Sequence, residues 1–233
     1  MKYLTITTFP NQAWYDYLHI STTSYLHFFP AEIPLLMKLT KDDMQDVVNE
    51  SLANLINNIK NGKEGRKVHI ETGMTKEEVD FYTRHKDYKN EGDYRTNYID
   101  FSHKIFALYQ AYLFAKKEGI DYIIWLDADI IVKDEVSIED IEKWHNGADI
   151  AYLGRKDWDH SECGLVMYKT ETAGEFIAHF HEMYVRDGVL DLEQYHDSYI
   201  FDYIKKQFSD LTYHNISEGI DGRDVFNESI LGE

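Results

Sequence analysis

The chain carries one cysteine, Cys163, in 233 residues. That rules out an internal disulfide framework and fits a reducing cytoplasm. No apolar stretch approaches the length of a membrane span, and the opening Met-Lys-Tyr-Leu-Thr lacks the apolar core of a signal peptide. No membrane association and a cytoplasmic location are therefore expected. Basic residues are scarce, with 24 Lys and Arg against 42 Asp and Glu, for a formal charge of −18. Such a balance argues against broad electrostatic capture of nucleic acid, which relies on clustered cations, although a local basic groove is compatible with it. Internal repeats, low-complexity linkers and composition shifts that would mark a boundary are also lacking. With 43% hydrophobic residues, residues 1–233 read as one domain with a substantial core.

What is present is concentrated in the run Tyr122-Ile-Ile-Trp-Leu-Asp-Ala-Asp-Ile-Ile-Val132. Ile123 to Leu126 form a continuous apolar stretch, the pattern of a central parallel strand buried on both faces. Asp127 and Asp129 follow where that strand should end, at the edge where open α/β sheets hold their ligands. Two carboxylates beside a buried strand are costly unless neutralised. A divalent cation answers that cost, because hard oxygen ligands suit Mg²⁺ or Mn²⁺ and a bound diphosphate can complete the shell. Asp-x-Asp alone also occurs as a solvated turn or capping pair, so the preceding strand carries the argument.

Around this run the chain alternates strands and helices. Tyr3 to Thr8 is β-rich, a helix is expected from Trp14 to Phe28, and Ile33 to Leu39 suggests a second strand. Met44, Val47, Val48, Leu52, Leu55, Ile56 and Ile59 recur at helical spacing between Lys41 and Lys60. Asn61 to Asn97 is polar and weakly patterned, with a short helix from Thr75 to Arg84. Phe101, Ile105, Leu108, Tyr112 and Ala115 share one helical face that ends at Gly119. Ser137-Ile-Glu-Asp140 reads as a capping box. Ile150 to Leu153 and Leu165 to Tyr168 read as strands, Glu171 to Arg186 and Gln194 to Phe208 as helices, and Leu211 to Asn215 as a last strand. The fold class expected is α/β, with a mostly parallel central sheet flanked by helices.

Other residue groups bear on chemistry. The loop Gly154-Arg-Lys-Asp-Trp-Asp-His-Ser-Glu-Cys-Gly164 lies on the same sheet edge as Asp127 if its flanking strands are parallel neighbours. There Glu162 or Asp157 can accept a sugar hydroxyl's hydrogen bond, and Trp158 can stack on a sugar ring; a merely solvated loop is an equal reading. His196, Asp197 and Ser198 stand at a helix start, where Asp197 or Ser198 can be the N-cap or Asp197 a general base. Lys104 and Arg95 can neutralise phosphate charge, and His214 is a candidate third metal ligand.

Together these residues resemble a GT-A nucleotide-sugar glycosyltransferase, in particular the glycogenin and bacterial galactosyltransferase-like families. Thr7-Thr-Phe9 after the first strand resembles the nucleotide-binding edge, Phe101-Ser-His-Lys104 the helix that reaches the nucleotide, Leu126-Asp-Ala-Asp129 the metal motif, and His196-Asp-Ser198 the Asp-Gln-Asp segment. The resemblance implies a single GT-A (Rossmann-like) domain, a nucleotide-diphosphate sugar donor, and Mn²⁺ or Mg²⁺ held by Asp127, Asp129 and a third group. It implies donor contacts from Thr7, Thr8, Phe9, Arg95, Lys104, Ala128, Trp158, His196 and Ser198. Asp197, then Glu162, would stand nearest the reacting carbon. The pairing of Trp125-Leu-Asp-Ala-Asp129 with His160-Ser-Glu-Cys-Gly164 and His196-Asp-Ser198 also resembles small glycosyltransferase-like proteins of bacteriophages, which would make a modified DNA base a plausible acceptor and the host cytoplasm the location. Glycan, protein and small-molecule acceptors fit equally well. The families close on a His-x-x-Gly-x-x-Lys segment, whereas this sequence ends Ile230-Leu-Gly-Glu233.

Two other classes compete. A haloacid dehalogenase-type phosphatase also uses Asp-x-Asp after an apolar strand, but on an early strand with Thr or Val where Ile131 stands. A non-catalytic nucleotide- or sugar-binding module would keep the fold without metal-dependent turnover.

Overall fold

In the computed structural model, the residues described are 1–9, 14–39, 67–89, 92–155, 158–217 and 231–232. Strand β1 (Tyr3–Phe9) is buried along its whole length, as a strand covered on both faces must be. It lies parallel between β2 (Leu35–Leu39) and β4 (Tyr122–Leu126), and β3 (Val68–Thr72) pairs parallel outside β2. On the other side of β4, β7 (Glu162–Lys169) runs antiparallel, followed by β6 (Ile150–Leu153) and β8 (Tyr213–Asn215). The order is β3-β2-β1-β4-β7-β6-β8, seven strands of which β7 alone is reversed, while β5 (Ile131–Val132) and β9 (Leu231–Gly232) form a separate pair. The expectation of a mostly parallel α/β sheet holds.

Helices cover both faces. Tyr25, Leu26 and Phe29, in and just after α1 (Trp14–Phe28), pack on one face with Ile141 and Trp144 of α4 (Ile138–His145). The other face is covered by α2 (Lys76–Arg84), α3 (Tyr98–Glu118), α5 (Gly174–Val185) and α6 (Asp197–Lys205), through Phe81, Ile105, Leu108, Phe176, Phe180, Ile200 and Phe201. The capping boxes at Thr75 and Ser137 each have both reciprocal bonds. Asn97 caps α3, and Gly119 closes it with φ of 64°, a conformation that costs glycine little.

Some expectations need correction. The weakly patterned polar segment contains β3, a five-residue outer strand in which Val68 and Ile70 pack against the core and alternate with His69 and Glu71, a pattern too short to stand out from its polar surroundings. The second strand starts at Leu35, just past Pro34, which has no N–H to give a sheet ladder. The last expected helix begins at Asp197 rather than Gln194. The helix expected between Lys41 and Lys60 lies outside the described residues. The loop from Gly154 does reach the edge that holds Asp127, but not between parallel neighbours: β7 returns antiparallel between β6 and β4, and its first residues meet the end of β4. Asp127 N–H donates to the Gly164 carbonyl at 2.9 Å.

Candidate active site

Side-chain parity along β4 sets the site. Successive strand residues point to opposite faces, so Trp125 and Asp127 share the face covered by α3. From that helix Lys104 reaches Asp127, its Nζ 2.9 Å from Oδ1. The Trp125 indole Nε1 donates to the same oxygen at 2.5 Å, and the Lys104 ammonium lies 5.0 Å from the Trp125 ring centroid. Lys104 also donates to the Cys163 carbonyl at 2.6 Å and pairs with Asp197 Oδ2 at 2.6 Å. Its three donors are thus engaged by two carboxylates and a carbonyl. Lys104, expected to meet phosphate, stands here between Asp127 and Asp197 and neutralises those carboxylates.

The electrostatics follow from the geometry. Lys104 is 8% exposed; burial works against its charge, yet Asp127 and Asp197 hold the ammonium well above its ordinary range. Burial pushes the Asp127 carboxyl up to about 6 against the pull of Lys104, with Asp197 and Asp129 adding repulsion. Asp127 keeps 34% of its side chain exposed, and Lys104 and Trp125 hold its Oδ1, so Oδ2 is left for a ligand. Asp129 is exposed in the turn that follows, and Ala128 between them packs on the core.

Asp197 is the first residue of α6, and its N-cap is His196, a role expected for Asp197 or Ser198. His196 Nδ1 accepts from Tyr199 N–H at 3.4 Å, while its Nε2 lies 2.9 Å from Gln194 Oε1. Burial holds its pKa below the usual histidine value. The Asp197 Oδ1 accepts from Ser198 N–H at 2.9 Å, so both carboxylate oxygens have partners. Glu162 Oε1 accepts from Gly164 N–H at 2.8 Å, and Oε2 lies 3.8 Å from Arg155 Nη1. Burial pushes the Glu162 carboxyl up, with the Gly164 hydrogen bond opposing.

These groups line a cleft with two ends. The narrow end, about 250 Å³, is walled by Phe101, Asp127, Asp129, Ile130, Gly164 and Asp197. The wide end, about 650 Å³, is walled by Arg95, Trp158, Asp159, His160, Ser161 and Gln194. Tyr94, Glu162, His196 and Ser198 line both. Thr7 shares a small cavity with Thr22 and Asp127 beneath the Asp127 turn, and the hydroxyls of both threonines are buried without a hydrogen-bond partner. Thr8 Oγ1 donates to the Lys38 carbonyl at 3.0 Å, and Phe9 is buried in the core. His214 stands on β8, with β7 and β6 between it and β4, and its charge is felt by His145. The structure does not bring it to the Asp127 end. Asp157 lies outside the described residues.

Sequence reasoning gave no role of their own to Tyr94, Gln194 and the indole of Trp125, and named His160 and Gly164 only within a longer motif. For Trp125 a signal was present, since two-residue periodicity puts it on the face of Asp127. The others come from separate elements, and no local pattern joins them. Among the described residues no group of three or more His, Cys, Asp or Glu is placed to hold a metal. Asp127 and Asp129 offer hard oxygen donors of the kind that suit Mg²⁺ or Mn²⁺.

No protein-family model and no curated protein sequence matches the chain. Solved structures do. The chain is similar to mouse xyloside xylosyltransferase 1 in its apo form, with a TM-score of 0.59 and 15% identity over 92% of this chain and 85% of that one. It is also similar to the glycosyltransferase GlyE of Streptococcus pneumoniae TIGR4, with a TM-score of 0.57 and 10% identity over 94% of this chain. That match spans 46% of GlyE, so the chain corresponds to about half of its length. At these identities the likeness establishes the fold: a GT-A-type glycosyltransferase fold. Among the described residues no helix is long and apolar enough to cross a membrane.

Proposed function

We propose that the chain is a metal-dependent glycosyltransferase that moves a sugar from a nucleotide-diphosphate donor to an acceptor hydroxyl. The observation that carries this reading is the Asp127–Asp129 turn at the end of the central strand, joined through buried Lys104 to Asp197 and opening into a two-ended cleft. The GT-A fold supports it by analogy. A divalent ion held by Asp127 and Asp129 would offset the charge that develops on the departing diphosphate. The chain's own residues do the rest. Lys104 locks Asp127 and Asp197 at fixed separation, Thr7 offers an unpaired hydroxyl beneath the turn, and Phe101 and Ile130 give the narrow end an apolar wall. Glu162, at the junction of the two ends with its carboxyl raised, is the group best placed to exchange a proton with an incoming hydroxyl. Asp197, whose oxygens are both engaged, is better read as holding Lys104 than as a base.

The test is release of nucleotide from a panel of nucleotide sugars with and without Mn²⁺, beside Asp127→Asn. Metal-dependent release from one donor, lost in the variant, is the expected result. Absence of both turnover and metal-dependent nucleotide binding would overturn the reading. Nucleotide binding that persists unchanged in Asp129→Asn without metal would favour the non-catalytic binding module. A modified base of phage DNA remains one acceptor within this reading, and such a base would have to leave the duplex stack to reach Glu162.

A further inference from the structure

We infer that the wide end of the cleft is the acceptor site and that it takes a neutral sugar residue. This inference rests on the transferase reading above and extends it from the donor to the acceptor. Trp158 is 55% exposed and Tyr94 58% exposed, and core packing explains neither. Both line the wide end. The Arg155 guanidinium sits 4.3 Å from the Trp158 ring centroid, which covers part of one face and steadies the ring. An amphipathic ring of this kind meets the apolar face of a sugar while leaving its hydroxyls free to bond elsewhere. Partners for those hydroxyls line the same wall: the carboxylates of Asp159 and Glu162, the Gln194 amide and the Ser198 hydroxyl.

Charge decides between a sugar and a polynucleotide. Among the described residues that line this end, Arg95 is the one Lys or Arg, against Asp159 and Glu162, and the neighbouring Arg155 is taken up by Trp158 and Glu162. A phosphate backbone needs a track of cations, and the described residues of this wall form none. The wall is also held in place. The Asn215 side-chain amide accepts from Gly154 N–H at 2.8 Å and donates to the Gly154 carbonyl at 3.1 Å. A side chain at Gly154 would strike that amide, since a Cβ there would lie 2.9 Å from Asn215 Nδ2. At the far end, Ser161 N–H and Oγ both donate to the Asp202 carboxylate, at 2.9 and 2.6 Å. Glu162 and Ser198, which line both ends, are where a bound hydroxyl would meet the donor.

The experiment is calorimetric titration of the full chain with three probes: nucleoside diphosphates plus Mn²⁺, methyl glycosides of neutral hexoses and pentoses, and a short single-stranded oligonucleotide. Binding of at least one glycoside is expected, weakened about tenfold by Trp158→Ala and again by Tyr94→Ala with melting temperatures unchanged. Glycoside binding indifferent to both substitutions would overturn the assignment. So would salt-sensitive oligonucleotide binding that the Trp158 variant loses, or no glycoside binding at all. The nucleotide arm separates the failures. If nucleoside diphosphate binds and no glycoside does, the acceptor assignment alone falls; if neither binds, the transferase reading falls with it.

Discussion

The two ends of the cleft handle polar groups in opposite ways. At the narrow end, Lys104, Asp127 and Asp197 are drawn into the protein, and each is answered by a fixed partner within 2.9 Å. At the wide end, Trp158, Tyr94, Asp159 and Arg95 stay exposed, and the loop carrying Trp158 is tied at Gly154 and Ser161 by hydrogen bonds to Asn215 and Asp202. A buried charge network sets a geometry before any ligand arrives, because a charge left unpaired there is expensive. An exposed aromatic wall tolerates variation, since water satisfies it when no ligand does. The difference matches a division of labour in which one ligand group is always the same and the other varies.

The sharpest way to break that contrast is Lys104→Met. It leaves Asp127 and Asp197 facing each other without a cation, and a stability loss of about 3–5 kcal/mol is expected from breaking a buried network. Urea unfolding measures it, and added Mn²⁺ should restore part of the loss if the freed carboxylates take a cation. An unchanged midpoint would show that the narrow end is not held by charge.

Acid probes the same principle in a group kept neutral. His145 is buried, accepts from Gly147 N–H through Nδ1 at 2.9 Å and meets Tyr3 Oη through Nε2 at 3.2 Å. Burial, with Lys169, His214 and the N-terminus adding repulsion, holds its pKa down at about 4, against an ordinary value of 6.5. The unfolded chain therefore takes up a proton more readily than the folded one. This contribution is complete above pH 6.5 and is lost as pH falls to about 4, on the order of 3 kcal/mol in all. Melting temperatures across that window should fall in the wild type and fall less in His145→Gln.

Asp202→Ala tests the tether of the wide end. It removes both acceptors for Ser161, at an expected cost of about 2 kcal/mol, and should loosen the loop as read by hydrogen exchange at Ser161 and Glu162. Asp202→Asn should recover part of that protection. Trp158→Ala is the smallest change: stability within about 0.5 kcal/mol of wild type, because its ring is mostly in solvent. A larger loss would mean that Trp158 is a packing residue.

Much of the fold was readable because burial leaves local marks. Ile123 to Leu126 announced a central strand, Thr75 and Ser137 announced helix starts, and the Phe101 to Ala115 face with Gly119 marked the long helix before β4. The Asp127–Asp129 turn was legible for the same reason. What was not legible depends on pairing across the chain. The reversed direction of β7, the distance of His214 and the gathering of Tyr94, His160 and Gln194 around His196 arise from sheet order. Lys104 was visible as a candidate, but its role was not. Nothing in its own helix reveals that Asp127 and Asp197, 23 residues later in one case, close around it.

Helix α6 carries a consequence of its own. Asp197 and Asp202 lie five residues apart on one nine-residue helix, about 7.5 Å along its axis and roughly 140° around it. One reaches Lys104 beneath the narrow end, and the other holds Ser161 at the lip of the wide end. A short helix is stiff on this scale, so it serves as a common gauge for both. On the function proposed above, the reach between donor and acceptor would be set by a single turn-and-a-half of backbone.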